Sequence, residues 1–105
     1  MQTETENEHF GLKPDVINRI NSVFSGYPNI EQVIIYGSRA KGTYRNGSDI
    51  DLALRGTQLT ASELITAETQ LDELLLPYKI DLCLFDSIQN PDLIEHIKRV
   101  GKPFS

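Results

Sequence analysis

Two carboxylates at spacing two, Asp49-Ile50-Asp51, stand inside an apolar run that continues through Leu52 and Leu54. In an extended strand, residues i and i+2 point to the same face. Asp49 and Asp51 therefore project side by side, while Ile50, Leu52 and Leu54 turn into a core. Two like charges this close repel, and a sheet gains nothing from them. A divalent cation is the usual compensation. Oxygen ligands suit Mg²⁺, and a pair of such ions about 3.5–4 Å apart binds a triphosphate, activates a hydroxyl and stabilises leaving pyrophosphate. Asp49 and Asp51 are thus candidate metal ligands. Without other support they would read as strand-end acids facing a loop.

That support lies upstream. The run Val33-Ile34-Ile35-Tyr36 reads as a buried strand and breaks at Gly37-Ser38. A strand that ends in Gly-Ser and turns into a short helix presents free N–H groups and one hydroxyl, an arrangement suited to phosphate. Gly37 lets the backbone approach closely, and the Ser38 hydroxyl would donate to a terminal phosphate. A plain turn with Ser38 as an N-cap is a compatible reading. Arg39, Lys41 and Arg45 form a local basic cluster placed to face a triphosphate, with solvent or a partner protein as the alternatives. Ser48 caps the turn before Asp49.

A third acid, Asp81, interrupts the apolar strand Lys79-Ile80-Asp81-Leu82-Cys83-Leu84-Phe85. Ile80, Leu82 and Leu84 share one face; Asp81, Cys83 and Phe85 share the other. An acid in such a strand is uncommon without a partner, the alternative being a solvated acid on an edge strand. Cys83 reads as a small apolar core residue.

The elements that position these residues alternate along the chain. Residues 1–12 are polar and without period, and read as a flexible leader; residues 13–105 read as a single domain. Pro14 opens a helix whose Val16, Ile17, Ile20, Val23 and Phe24 form one apolar face. The first strand spans about 31–36 and the second about 49–55. Thr60 and Glu63 fit a capping box, and Leu59 with Leu64 a hydrophobic staple. Leu64, Ile65, Leu71, Leu74 and Leu75 supply the apolar side of that helix, and Pro77 closes the segment. Asn90 and Pro91 start a last helix with Leu93, Ile94, Ile97 and Val100 inward. The link between the first two strands is too short for a parallel crossover. An α/β fold follows, a small mixed sheet with helices mainly on one face.

Gly37-Ser38, ten intervening residues, then Asp49-Ile50-Asp51 resembles the signature of the nucleotidyltransferase superfamily to which DNA polymerase beta and kanamycin nucleotidyltransferase belong. With Arg39-Ala40-Lys41-Gly42 and Ser48, the string is most similar to the minimal nucleotidyltransferases (MNT proteins) of bacteria and archaea. The resemblance covers most of the chain. It implies a nucleotidyltransferase core, two Mg²⁺ ions held by Asp49, Asp51 and Asp81, and a nucleoside triphosphate such as ATP on Gly37, Ser38 and Arg39. It implies Asp81 as the acid that helps deprotonate the acceptor. It also implies a small helical HEPN-type partner that supplies or is the acceptor, hence a hetero-oligomer with this chain as antitoxin. The other reading is a non-catalytic module that neutralises or scaffolds the helical partner by contact.

The whole composition narrows the classes. A 105-residue chain, 39% apolar and 24% charged, suits one small globular domain. A net charge of −5 argues against a broad nucleic-acid surface. No apolar run approaches a membrane span and no signal peptide is evident. The lone Cys83 permits no internal disulfide, so the cytoplasm is the expected compartment. His9 and His96 lack ligand spacing and read as surface residues.

Overall fold

The computed structural model describes residues 9–104. The chain forms α1 (Pro14–Phe24), β1 (Gln32–Tyr36), α2 (Gly37–Lys41), β2 (Ile50–Arg55), α3 (Ala61–Asp72), β3 (Ile80–Leu84), α4 (Pro91–Val100) and β4 (Lys102–Pro103). The strands make one mixed sheet in the order β3-β2-β1-β4. β1 and β2 are antiparallel, as expected, while β2 and β3 are parallel across the α3 connection. The short β4, which the sequence pattern does not announce, lies antiparallel to β1.

The main core lies between one sheet face and helices α1 and α3. Ile35, Ile50, Leu52 and Leu54 meet Ile17, Ile20 and Phe24 of α1 and Ala67 and Leu71 of α3. The expected alternation of β2 holds, with Ile50, Leu52 and Leu54 in this core. α4 covers the opposite face. A Cβ added at Gly101 would strike Ile34, and the His96 ring meets Tyr36. Ile97 is the fully inward residue of α4. Two of the three longer helices thus share one face, and the third closes the other.

Local signals set the helix starts. Thr60 accepts from Glu63 N while Glu63 reaches back to Thr60 N, which completes the capping box of α3. Asn90 accepts from Asp92 N and Leu93 N and caps α4. Two apolar assignments on α3 are corrected. Ile65 is 61% exposed, and Leu75 is 87% exposed at a φ of 55°. α3 ends at Asp72, five residues before Pro77, so Leu75 falls in the following turn rather than on the helix stripe. Ala67 fills the stripe where Ile65 was expected.

The leader also differs from its expectation. Residues 1–8 lie outside the described residues, but residues 9–12 are packed. His9 and Leu12 exchange backbone hydrogen bonds of 3.0 and 2.8 Å. Leu12 is fully buried, and Phe10 stacks on Phe104. Two apolar residues in so short a turn show no period, yet together with Phe104 they close one end of the core. Leu12→Ala should therefore destabilise the chain by about 2–5 kcal/mol, whereas Leu75→Ala should stay within about 0.5 kcal/mol. Urea unfolding of both variants checks this; equal effects would mean the 9–12 turn carries no packing load.

Candidate active site

The parallel register of β2 and β3 sets Asp51 opposite Asp81. Adjacent strands lie about 4.8 Å apart, and facing residues share one side of the sheet. On its other flank Asp51 pairs with Tyr36 of β1. Asp49 precedes β2 by one residue and is exposed. The Asp51 carboxyl is held above its ordinary value, first by burial and then by the charges of Asp81 and Asp49; His96 and Lys79 pull it back. Lys79 Nζ stands 3.8 Å from Asp81, but both side chains are well exposed, so this pair contributes little. The three acids expected from the sequence are therefore brought within electrostatic reach of one another.

Gly37 follows Tyr36 at the β1–α2 corner with a φ of 73°. A Cβ there would collide with Oδ2 of Asp51. Only glycine satisfies both the left-handed backbone and the approach of the carboxylate. Ser38 does not cap α2; Tyr36 occupies that position, and Ser38 lies in the first turn. Among the described residues the Ser38 hydroxyl has no hydrogen-bond partner.

Arg39 has a different set of partners from those expected of a phosphate ligand. Its side chain is only 2% exposed. Nε and Nη2 donate to the Ser48 carbonyl at 3.1 and 2.9 Å, and Nη1 donates to the Phe10 carbonyl at 2.8 Å. The guanidinium lies 5.3 Å from the Tyr44 ring centroid and 5.0 Å from that of Tyr78. Three of its N–H groups and two neighbouring rings are thus engaged, so the charge ties loop 42–48 to the residues before α1 and β3. Lys41 and Arg45 are exposed. Ser48 Oγ accepts from Arg45 N at 2.8 Å, closing the turn before Asp49 as expected.

Tyr36 and His96 were not legible as neighbours of the acids, and Cys83 was legible only as sharing the Asp81 face. The Tyr36 hydroxyl lies 3.6 Å from Cys83 Sγ. Tyr36 belongs to β1 and Cys83 to β3, so the tyrosine crosses β2 on the same face as Asp51. The β2 residue opposite Cys83 is Ala53, fully buried, and its small side chain leaves space for that crossing. Burial and the Cys83 contact push the Tyr36 phenol far above its ordinary value, so it stays protonated. Burial likewise pushes the Cys83 thiol up, opposed by Tyr36. From α4, the His96 ring meets Tyr36 edge to face, with centroids 6.1 Å apart and planes at 81°. His96 falls three residues after Leu93 and four before Val100, on the apolar stripe; that spacing was the available signal.

Among the described residues, no three acidic, imidazole or thiol groups already form an ion-ligating cluster. The donor set nevertheless fits a hard cation. Asp51 is destabilised as an anion by burial and by two neighbouring acids, and glycine at position 37 keeps its Oδ2 uncovered by a side chain. Mg²⁺ takes one or two carboxylates and completes its shell with water and substrate phosphate, so a full protein cage is not required.

Residues 18–104 match the family model described as polymerase beta, nucleotidyltransferase. The chain therefore belongs to the polymerase beta nucleotidyltransferase family. No curated protein matches it significantly. Among solved structures, a toxin–antitoxin complex with AMP-PNP is similar with a TM-score of 0.69 and 23% identity, over 85% of this chain and 72% of that one. The MntA–HepT toxin–antitoxin matches with a TM-score of 0.66 and 19% identity, over 89% and 72%. A tri-AMPylated Shewanella oneidensis HEPN toxin in complex with MNT antitoxin matches with a TM-score of 0.63 and 20% identity, over 86% and 69%. These likenesses show a shared fold.

The raised Asp51 sets a pH dependence. Between the ordinary carboxylate value of 3.8 and the raised one, the folded chain holds the proton more tightly than the unfolded chain. Stability is therefore lost as pH rises through that window. Without metal, Asp51→Asn should melt higher than the parent at about pH 7.5, with the gain shrinking toward about pH 4. Thermal melts across that range test it; a gain independent of pH would place the effect outside Asp51 ionisation. Arg39→Lys should lower stability by about 1–3 kcal/mol, the cost of leaving buried carbonyls underpaired, as read by urea unfolding; no loss would remove Arg39 as the tie of the loop.

Proposed function

We propose that this chain transfers a nucleoside monophosphate, AMP from ATP, to a hydroxyl on a small helical HEPN-type partner protein. In this reading it acts as the antitoxin of that partner, within a cytoplasmic hetero-oligomer. The observation that carries the reading is the juxtaposition of Asp51 with Asp81 beside the Gly37-Ser38 corner, whose hydroxyl has no hydrogen-bond partner among the described residues. Family membership supports the reaction class. Similar folds crystallised with AMP-PNP, and with an AMPylated HEPN toxin, support the nucleotide and the partner. Among the described residues no helix is long and apolar enough to cross a membrane.

The roles follow from position. Ser38 and the N–H groups of its turn bind the terminal phosphates. Asp49, Asp51 and Asp81 are the residues that would hold Mg²⁺. When bound, the ions neutralise phosphate charge and lower the pKa of the acceptor hydroxyl. The acceptor oxygen attacks the α-phosphorus, the bond to the β-phosphate oxygen breaks, and pyrophosphate leaves. Asp81, on the outermost strand, takes the acceptor proton. Three N–H groups of Arg39 already donate to backbone carbonyls, so in this reading it supports the loop rather than the nucleotide.

Incubation of the chain and its co-expressed partner with α-labelled ATP and Mg²⁺ tests the reading. Label should pass to the partner. Asp81→Asn should keep most nucleotide affinity by calorimetry and lose about 10²–10⁴-fold in single-turnover transfer. Asp51→Asn should lose transfer as well as metal affinity. Neutralisation of the partner with no label incorporated would establish the contact-only alternative, and full transfer by Asp51→Asn would overturn the metal assignment.

A further inference from the structure

The Tyr36 side chain runs from β1 across β2 to Cys83 of β3 and so forms the floor beside the Asp51 carboxylate. From outside the sheet the ring has a further contact. The His96 ring of α4 meets it edge to face. This geometry holds a ring by its neighbour's quadrupole as well as by packing. α4 is itself fixed at both ends. Asn90 caps its start, and the Gly101 backbone sits so close to Ile34 that a Cβ would not fit.

Resting on the reading of this site as a nucleotidyl-transfer centre, we infer that His96 is a positioning residue. It clamps the Tyr36 ring flat against β2 and thereby fixes both the Asp51 carboxylate and the Gly37 corner. Three facts connect the clamp to the chemistry. Tyr36 and Asp51 are cross-strand partners on one face. Tyr36 is also the residue from which Gly37 turns into α2. Gly37 in turn lies against Oδ2 of Asp51. A Tyr36 ring released from above would open the space beside Asp51, and the carboxylate and the corner would lose a shared wall. An error of about 1 Å in such a group costs up to about a hundredfold in rate. The clamp acts through the ring, so an aromatic side chain without the imidazole nitrogens should serve.

The test compares His96→Ala and His96→Phe in the complex with the co-expressed partner, using α-labelled ATP and Mg²⁺. Alanine suits a helix, and Ile97 still anchors α4. His96→Ala should lose about tenfold to a hundredfold in single-turnover rate with little change in the apparent affinity for ATP. His96→Phe should restore most of the rate. An alanine variant as fast as the parent overturns the inference. So does a phenylalanine variant that folds but is as slow as the alanine one, since imidazole chemistry rather than the ring would then be needed. A parent chain that transfers no label overturns the underlying reading instead, which separates the two failures.

Discussion

A buried cation, Arg39, holds the loop on which the acid pair depends. Among the described residues no carboxylate pairs with it. Two backbone carbonyls and two tyrosine faces take its charge instead. Such a site stays ionised because guanidinium is weakly hydrated and its planar donors match carbonyl dipoles. Through it, three separate pieces of chain become one body: the turn at 9–12, loop 42–48 and the approach to β3. The loop delivers Asp49 and the start of β2, and the approach to β3 delivers Asp81. Positive charge within the motif thus goes partly to architecture, while Lys41 and Arg45 stay exposed.

The acids themselves rest on an opposite balance. β2 and β3 bring Asp51 and Asp81 side by side, and burial makes the resulting charge less favourable still. The sheet withstands this because its other face buries Ile50, Leu52 and Leu54 completely. Each of those side chains contributes roughly 1.5–3 kcal/mol relative to exposure. One strand therefore carries both the principal core and the principal strain, on alternate residues. That coupling follows from the two-residue period of a strand.

Much of this was legible beforehand for identifiable reasons. The β2 alternation, the Thr60–Glu63 box and the Asn90 cap are local patterns, and each appears as read. The antiparallel β1–β2 pairing followed from a short link. The pairing of Asp51 with Asp81 was not a local pattern, since register between distant strands has no signature within either one. Arg39 misled for the same reason. A basic residue in a phosphate-like loop looks available until Phe10, Tyr44 and Tyr78 converge on it from three places. His96 hid because histidine was weighed as a ligand or a surface group, whereas its place on the α4 stripe pointed inward. Leu75 went the other way: an apolar residue just past a helix end turned out to be exposed.

The sheet's two outer strands, β3 and β4, also bear on how this protein behaves in a crowded solution. An outer strand offers unpaired N–H and C=O groups to any passing chain and so invites aggregation. β4 limits this by being two residues long, with Pro103 lacking an N–H altogether. β3 carries Asp81, with Lys79 just before it, so a strand arriving from another molecule would have to bury or confront charge. The carboxylate at this rim therefore discourages intermolecular growth of the sheet. Replacing it with an apolar residue would leave a sticky margin.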